Sequence, residues 1–252
     1  MKTISLQDQH FAHSKNGYSC DFHPGRKVRW CRKYPYSSIT TVFTGNSLGL
    51  VKTHPNHRNI AWLIEPYEIC PHTYQFVLEN RKYFDLILTH DTEVMLVAGN
   101  SAFMPYGDCW IKEEDWQIYP KSKNCSIFCS DKKLTRQHLL RHECLKTDGI
   151  DQFGFMNHVD YKLDGLKDYK FSVVVENSTR NDWFTEKLLD CFATGTIPIY
   201  SGTKNIKNYF SKGGMLEFKT LEELEHIIDL IQIGELHYED FLPAIKRNFD
   251  GF

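Results

Sequence analysis

The sequence predicts an α/β protein built on parallel sheets, and two observations carry that prediction. Short β-branched or aromatic runs alternate with segments whose apolar residues recur every three or four positions. One stretch, 169–202, reads without a break as strand, turn, helix and strand, the unit from which parallel sheets are assembled. Strands are expected at 39–43, 60–64, 84–88, 126–129, 171–175, 197–200 and 215–218, and helices near 71–81, 91–98, 134–146, 183–194, 203–210, 220–232 and 238–248. A polar stretch, 112–124, holding Pro120, separates two alternating regions and predicts domains 1–120 and 121–252. The opening of the first, 16–36, is irregular, and no internal repeat or low-complexity tract appears.

Composition narrows the function. The 252 residues, 41% of them hydrophobic, can bury a real core as one large or two small domains. A formal charge of -2, from 30 basic and 32 acidic residues mixed along the chain, leaves no basic face for duplex nucleic acid. No run reaches the roughly 18 apolar residues of a membrane span, and residues 1–10 lack the apolar core of a signal peptide. The expectation is a soluble, cytoplasmic protein. The eight cysteines are spread through apolar runs, so they are expected as reduced, buried thiols rather than disulfides.

Within 169–202 most positions ask only for packing. Phe184, Leu188, Cys191 and Phe192 share a helical face, Gly195 is a natural helix stop, and Pro198 opens the next strand. Packing does not explain Glu176-Asn177-Ser178 at the end of the strand, or Thr185-Glu186-Lys187 where the helix begins. Ligands of open α/β sheets bind in the crevice at strand carboxyl ends. There a helix N-terminus offers unpaired N–H groups and positive potential, Lys187 adds a charge for a diphosphate, and Glu186 suits ribose or sugar hydroxyls. Each residue alone reads equally well as a turn former, a cap or a solvated face; their clustering favours a site.

Glu176-Asn177-Ser178, then Asp182-Trp183-Phe184-Thr185-Glu186-Lys187 and the run from Gly195 through Pro198 to Gly202 resemble the donor motif of family 10 glycosyltransferases, the α-1,3/1,4-fucosyltransferases. The resemblance is specific over about forty residues, and it implies a GT-B-like fold of two Rossmann-like halves facing a cleft. The C-terminal half would then hold the nucleotide sugar, with Asn177, Trp183, Glu186 and Lys187 on the donor, and the N-terminal half would hold the acceptor. Val175 and Trp183 depart from the motif, which usually has Phe and Tyr there. The strand at 126–129 and the helix bearing Arg136, His138 and Arg141 resemble the family's basic helix; His138 and Arg141, one turn apart, would be phosphate ligands.

In the first half an apolar strand ends at Glu65-Pro66, and this looks like the family's strand that ends in a general base. Glu65 would take the proton of an acceptor hydroxyl attacking the anomeric carbon opposite the leaving diphosphate, with inversion. The aromatic run 103–110 suits either stacking on a sugar or joining the halves, while His54 and His57, in a Pro-containing loop near Tyr67, are expected to face solvent. No Asp-x-Asp, Walker loop, His-Glu-x-x-His or Cys-x-x-Cys appears, so neither metal nor cofactor is expected. The expected reaction is transfer of fucose from GDP-fucose to an oligosaccharide or glycoprotein glycan. Two alternatives remain open: a UDP-sugar such as UDP-xylose, since exostosin-like transferases share a similar Gly-x-Ile-Pro-Ile ending, or a glycan- or nucleotide-binding module without turnover.

Overall fold

The computed structural model describes residues 2–8, 28–31, 39–105 and 109–251. Cys20, most of the irregular opening 16–36 and the centre of the aromatic run, 106–108, lie outside them. The chain forms two compact units, Met1–Tyr106 and Gly107–Phe252.

The first unit holds six parallel strands: β1 (Lys2–Gln7), β2 (Val28–Cys31), β3 (Thr40–Thr44), β4 (Arg58–Leu63), β5 (Leu86–Thr89) and β6 (Ser101–Phe103). Their order is β2-β1-β3-β4-β5-β6. In β4 the even alternation of buried and half-exposed positions puts Asn59, Ala61 and Leu63 inward, and Ala61 and Leu63 join a core with Phe43, Leu48, Val77 and Ile87. Helix α1 (Pro71–Glu79) starts on a proline that lacks only an N–H the first turn leaves unbonded. Helix α2 (Thr92–Ala98) starts on Asp91, whose carboxylate accepts from the N–H groups of Glu93 and Val94 at 2.9 and 3.2 Å.

The second unit has five parallel strands: β7 (Lys123–Cys129), β8 (Asp151–Gly154), β9 (Tyr169–Val175), β10 (Ile197–Ser201) and β11 (Leu216–Glu217). They are ordered β11-β10-β9-β7-β8, with helices α3 (Arg136–Cys144), α4 (Glu186–Thr194), α5 (Leu221–Gln232) and α6 (Tyr238–Asp250) between and after them. In both units the first strand lies between the second and third, the doubly wound order in which winding reverses beside the first strand. In the second unit the reversal falls between β7 and β9, so Ser130 and Glu176 leave the sheet at adjacent strand ends. Both strands are buried nearly throughout because helices cover both faces. Phe171, Leu188, Phe192 and Ile197 are fully enclosed, each contributing about 1.5–3 kcal/mol by leaving water.

Several expectations need correction. The helix expected from 183 begins at Glu186, because Thr185 takes an extended backbone and caps it. The helix expected at 203–210 is only a 3-10 turn, Ile206–Asn208. Strands β1, β2, β6 and β8 carry no β-branched run and were not expected. The division between units falls near 106 rather than 120 because 112–124 is not a free linker. Ile111, just before it, is fully buried, and within it Trp116, Ile118 and Tyr119 pack on the second core. The N–H groups of Gln117 and Tyr119 also bond the carbonyls of Ala193 and Thr194 at 3.0 and 3.3 Å, closing the end of α4. All seven described cysteines are free, and only Cys70 is not fully buried. No helix among the described residues is long and apolar enough to cross a membrane.

Candidate functional site

The segment after β9 folds back on itself through Glu176. This carboxylate is fully buried; its Oε1 accepts the Thr185 N–H and its Oε2 the Thr185 hydroxyl, both at 2.8 Å. A protein carboxylate therefore already sits where α4 begins and its positive end is strongest. The Thr185 hydroxyl in turn accepts from Lys187 Nζ at 2.9 Å and from the Lys187 N–H at 3.4 Å. Lys187 Nζ also reaches Glu186 Oε1 at 3.3 Å and Glu176 Oε2 at 3.7 Å, while its side chain keeps 21% exposure. Burial would push the Glu186 carboxyl up, but Lys187 and Lys162 outweigh it and hold the group down at about 2. Lys187 is the cation of this cluster that still meets solvent.

Arg141 is 4% exposed, and its Nε and Nη2 both donate to the carbonyl of Val175; Nη2 also donates to Asn177 Oδ1 at 3.0 Å. Burial draws its pKa down while Glu176 pulls it up. These bonds fix the end of β9 and orient Asn177. Asn177 is half-buried, whereas Ser178 is buried, its hydroxyl accepting the Arg180 N–H at 3.1 Å.

His138, expected as a phosphate ligand, is engaged by its own helix cap. The Thr135 hydroxyl lies 3.0 Å from the carbonyl of Asn177, to which it donates, and 2.8 Å from His138 Nδ1. With its proton given to Asn177, that hydroxyl can only accept from Nδ1, which leaves His138 Nε2 an acceptor, the wrong polarity for a phosphate oxygen. Burial, followed by Arg141 and Lys187, lowers this imidazole from 6.5 to about 4. A folded value below the unfolded one means that neutral His138 stabilises the fold above pH 6.5, and that this contribution is lost as pH falls towards 4. In His138→Gln the loss of stability between pH 6.5 and 4.5, followed by urea unfolding, is expected to be shallower than in the parent.

Trp183 is fully enclosed and Val175 is 1% exposed, so both departures from the donor motif fall on packed side chains. Trp183, expected on the donor, is enclosed in the ligand-free chain. Asp182 has a left-handed backbone, φ 64°, rare for a residue with a side chain. Its carboxylate accepts from Asn205 Nδ2 and the Tyr209 hydroxyl, each at 2.6 Å, and these bonds hold the conformation.

Sequence reasoning gave no role to four residues around this segment, although Gly202 lay within the motif it quoted. Thr135 was visible as a cap before a basic helix, but its bond to Asn177 spans 42 positions. Gly202 has no room for a side chain: a Cβ would lie 2.2 Å from the Tyr200 hydroxyl oxygen and 2.8 Å from Glu176 Cγ. Asp190, on the buried face of α4, accepts from the N–H groups of Trp110 and Ile111 at 2.7 and 3.3 Å, and pairs with Lys162 at 2.5 Å. No sequence signal marks Lys162.

In the first unit Glu65 is half-buried just beyond β4, at the carboxyl edge of its sheet. Its carbonyl accepts the Tyr74 hydroxyl at 2.9 Å, and burial followed by its charge raises the Cys70 thiol. His54 is a core residue, 6% exposed with its ring edge-on to Phe43 at 5.3 Å, not the solvent-facing residue expected. His57 is half-buried and bonds Thr41 at 2.9 Å; Tyr67 is exposed. Phe103 and Trp110, the ends of the aromatic run, are exposed. Among the described residues no three His, Cys, Asp or Glu side chains gather as metal ligands.

Comparison with known proteins decides the family. Residues 120–243 match the glycosyltransferase family 10 (fucosyltransferase) C-terminal model. The chain carries a glycosyltransferase family 10 domain. This domain contains all of β7 to α5 and the first six of the thirteen residues of α6, with every residue of the Glu176–Lys187 cluster. A putative fucosyltransferase-like protein of Arabidopsis thaliana is 34% identical over 91 residues, 36% of this chain and 18% of its own length. The alpha-(1,3)-fucosyltransferase FucT of Helicobacter pylori is 28% identical over 91 residues, 36% of this chain and 19% of its own. The match thus spans about a fifth of these relatives' length. A crystal structure of an alpha1,3-fucosyltransferase superposes with TM-score 0.60 at 15% identity, covering 98% of this chain and 82% of that one. TarM superposes with TM-score 0.54 at 12% identity, covering 87% and 53%. These likenesses give the fold, which is GT-B-like: the family 10 domain is one doubly wound unit and residues 1–106 form the other.

Proposed function

We propose that this protein is an inverting glycosyltransferase that moves fucose from GDP-fucose to a glycan hydroxyl without a metal ion. The observation that carries the reading is the buried Glu176–Thr185–Lys187–Glu186 cluster at a strand end within a family 10 domain. Lys187 and Arg141 Nη1 meet the departing diphosphate, Asn177 is aimed by Arg141, and Glu186, ionised throughout the working range, accepts donor hydroxyls. Glu65 removes the acceptor proton as the hydroxyl attacks the anomeric carbon from the face opposite the diphosphate. The C–O bond to the acceptor forms as the anomeric C–O bond to phosphate breaks, so one sugar is inverted and GDP leaves with the electron pair.

The GDP-fucose choice is supported by a neighbour of TM-score 0.56 whose crystal structure contains GDP-fucose. It is supported also by the burial of Val175 and Trp183, which keeps the two motif departures away from solvent-facing positions. The test is thermal stability with GDP, UDP, GDP-fucose and UDP-xylose in EDTA, because a ligand that binds only the folded state raises Tm. GDP and GDP-fucose are expected to raise it in the parent and to raise it less in Lys187→Ala. Stabilisation by the UDP compounds alone would overturn the fucose reading.

A further inference from the structure

We propose that Lys162 is a positioning residue for the donor site, a buried cation that holds the Glu186 carboxylate in place for donor hydroxyls through its pairing with Asp190. The hydroxyl role rests on the donor reading above; the pairing does not. Lys162 stands in the 3-10 turn Lys162–Gly165, and its ammonium is 2.5 Å from Asp190 Oδ2 with only 16% of the side chain exposed. Asp190 and Glu186 are one helical turn apart on α4, both nearly or fully enclosed. Two carboxylates on one buried face repel unless a cation serves both. Lys162 pairs directly with Asp190, one helical turn from Glu186, and the charges of both carboxylates favour its ammonium against burial.

Other charges around Glu186 do not replace it. Lys187, on the same helix, lies 3.3 Å from Glu186 Oε1 but divides its charge among Glu186, Thr185 and Glu176. Arg141 from α3 is bonded to Val175 and Asn177. Asp190 on α4 and Glu176 after β9 have the opposite effect. Lys162 and Lys187 line one cavity of about 20 Å³ with Phe128, Val175 and Cys191, which brings the turn, β9 and α4 to a single point. Lys162 also lies 5.4 Å from the Trp110 ring and 5.6 Å from Phe128, contacts that fix the ammonium between the two aromatic rings.

The experiment follows the carboxyl ¹³C resonance of Glu186 through a pH titration of the unliganded full chain, in the parent, Lys162→Met and Lys162→Arg. The parent resonance is expected to stay constant down to pH 4. In Lys162→Met its midpoint should rise by at least about two pH units, and Lys162→Arg should restore the parent behaviour. Should Lys162→Met fail to fold, Lys162→Gln, which keeps a donor for Asp190, replaces it in the same titration. An unmoved midpoint in a folded variant overturns the positioning role. A parallel GDP titration separates the two claims. GDP affinity that falls about twofold from pH 7.5 to 4 in the variant but not in the parent supports both, whereas absence of GDP binding in the parent sinks the donor reading and leaves the carboxyl titration to decide.

Discussion

Glu65→Gln is expected to bind GDP as the parent does and to transfer sugar about 10²- to 10⁴-fold more slowly. The substitution keeps the shape of the side chain and removes only its ability to take a proton. It is the Glu65 carbonyl, which the substitution keeps, that accepts the Tyr74 hydroxyl. Steady-state kinetics should therefore show the loss in kcat, with KM for the donor little changed and Tm within a degree or two of the parent. Position supports the assignment, because Glu65 leaves the sheet at the carboxyl end of β4, the edge at which open α/β sheets bind ligands. Undiminished turnover would remove Glu65 from the mechanism.

Glu176→Ala is expected to be the most destabilising single change in the donor segment, costing about 3–5 kcal/mol. The side chain accepts both the N–H and the hydroxyl of Thr185, and its removal leaves those donors and Lys187 without their carboxylate in a buried setting. Thr185 would also lose the anchor that holds it as the cap of α4. For a chain of this size each kcal/mol shifts Tm by about 2–4 °C, so a drop near 10 °C is expected by calorimetry. Glu176→Gln, which can still accept one of the two bonds, should fall between. A Tm change under about 2 °C for the alanine variant would mean that the carboxylate does not organise the segment.

The parallel strands and the donor cluster were legible in the sequence for different reasons. Strands β9 and β10 are buried, β7 is buried over most of its second half and β4 on alternate positions, and their apolar residues announce them. Strand β8 is Asp-Gln-Phe-Gly at the sheet edge, where one buried residue suffices, and no pattern can mark it. Glu176 and Lys187 were visible because charge at a strand end and a helix start has no packing purpose. What those charges do was not visible: the sequence assigned the helix end to phosphate, and the structure fills it with Glu176. Long-range pairings account for the rest. Lys162 meets Asp190 across 28 positions and Thr135 meets Asn177 across 42, separations at which no periodicity survives. The stretch 112–124 misled because its charged surface residues hide the apolar contacts of Trp116 and Ile118.

The most direct test of the account is transfer itself: purified protein in EDTA with ¹³C-labelled GDP-fucose and a panel of oligosaccharide acceptors, followed by NMR of the anomeric carbon. GDP-fucose carries its sugar in the β configuration, so the account predicts a new α-linked fucose, released GDP in equal amount, and neither product with Glu65→Gln. A β-linked product, or turnover that appears only when a divalent metal is restored, would contradict it.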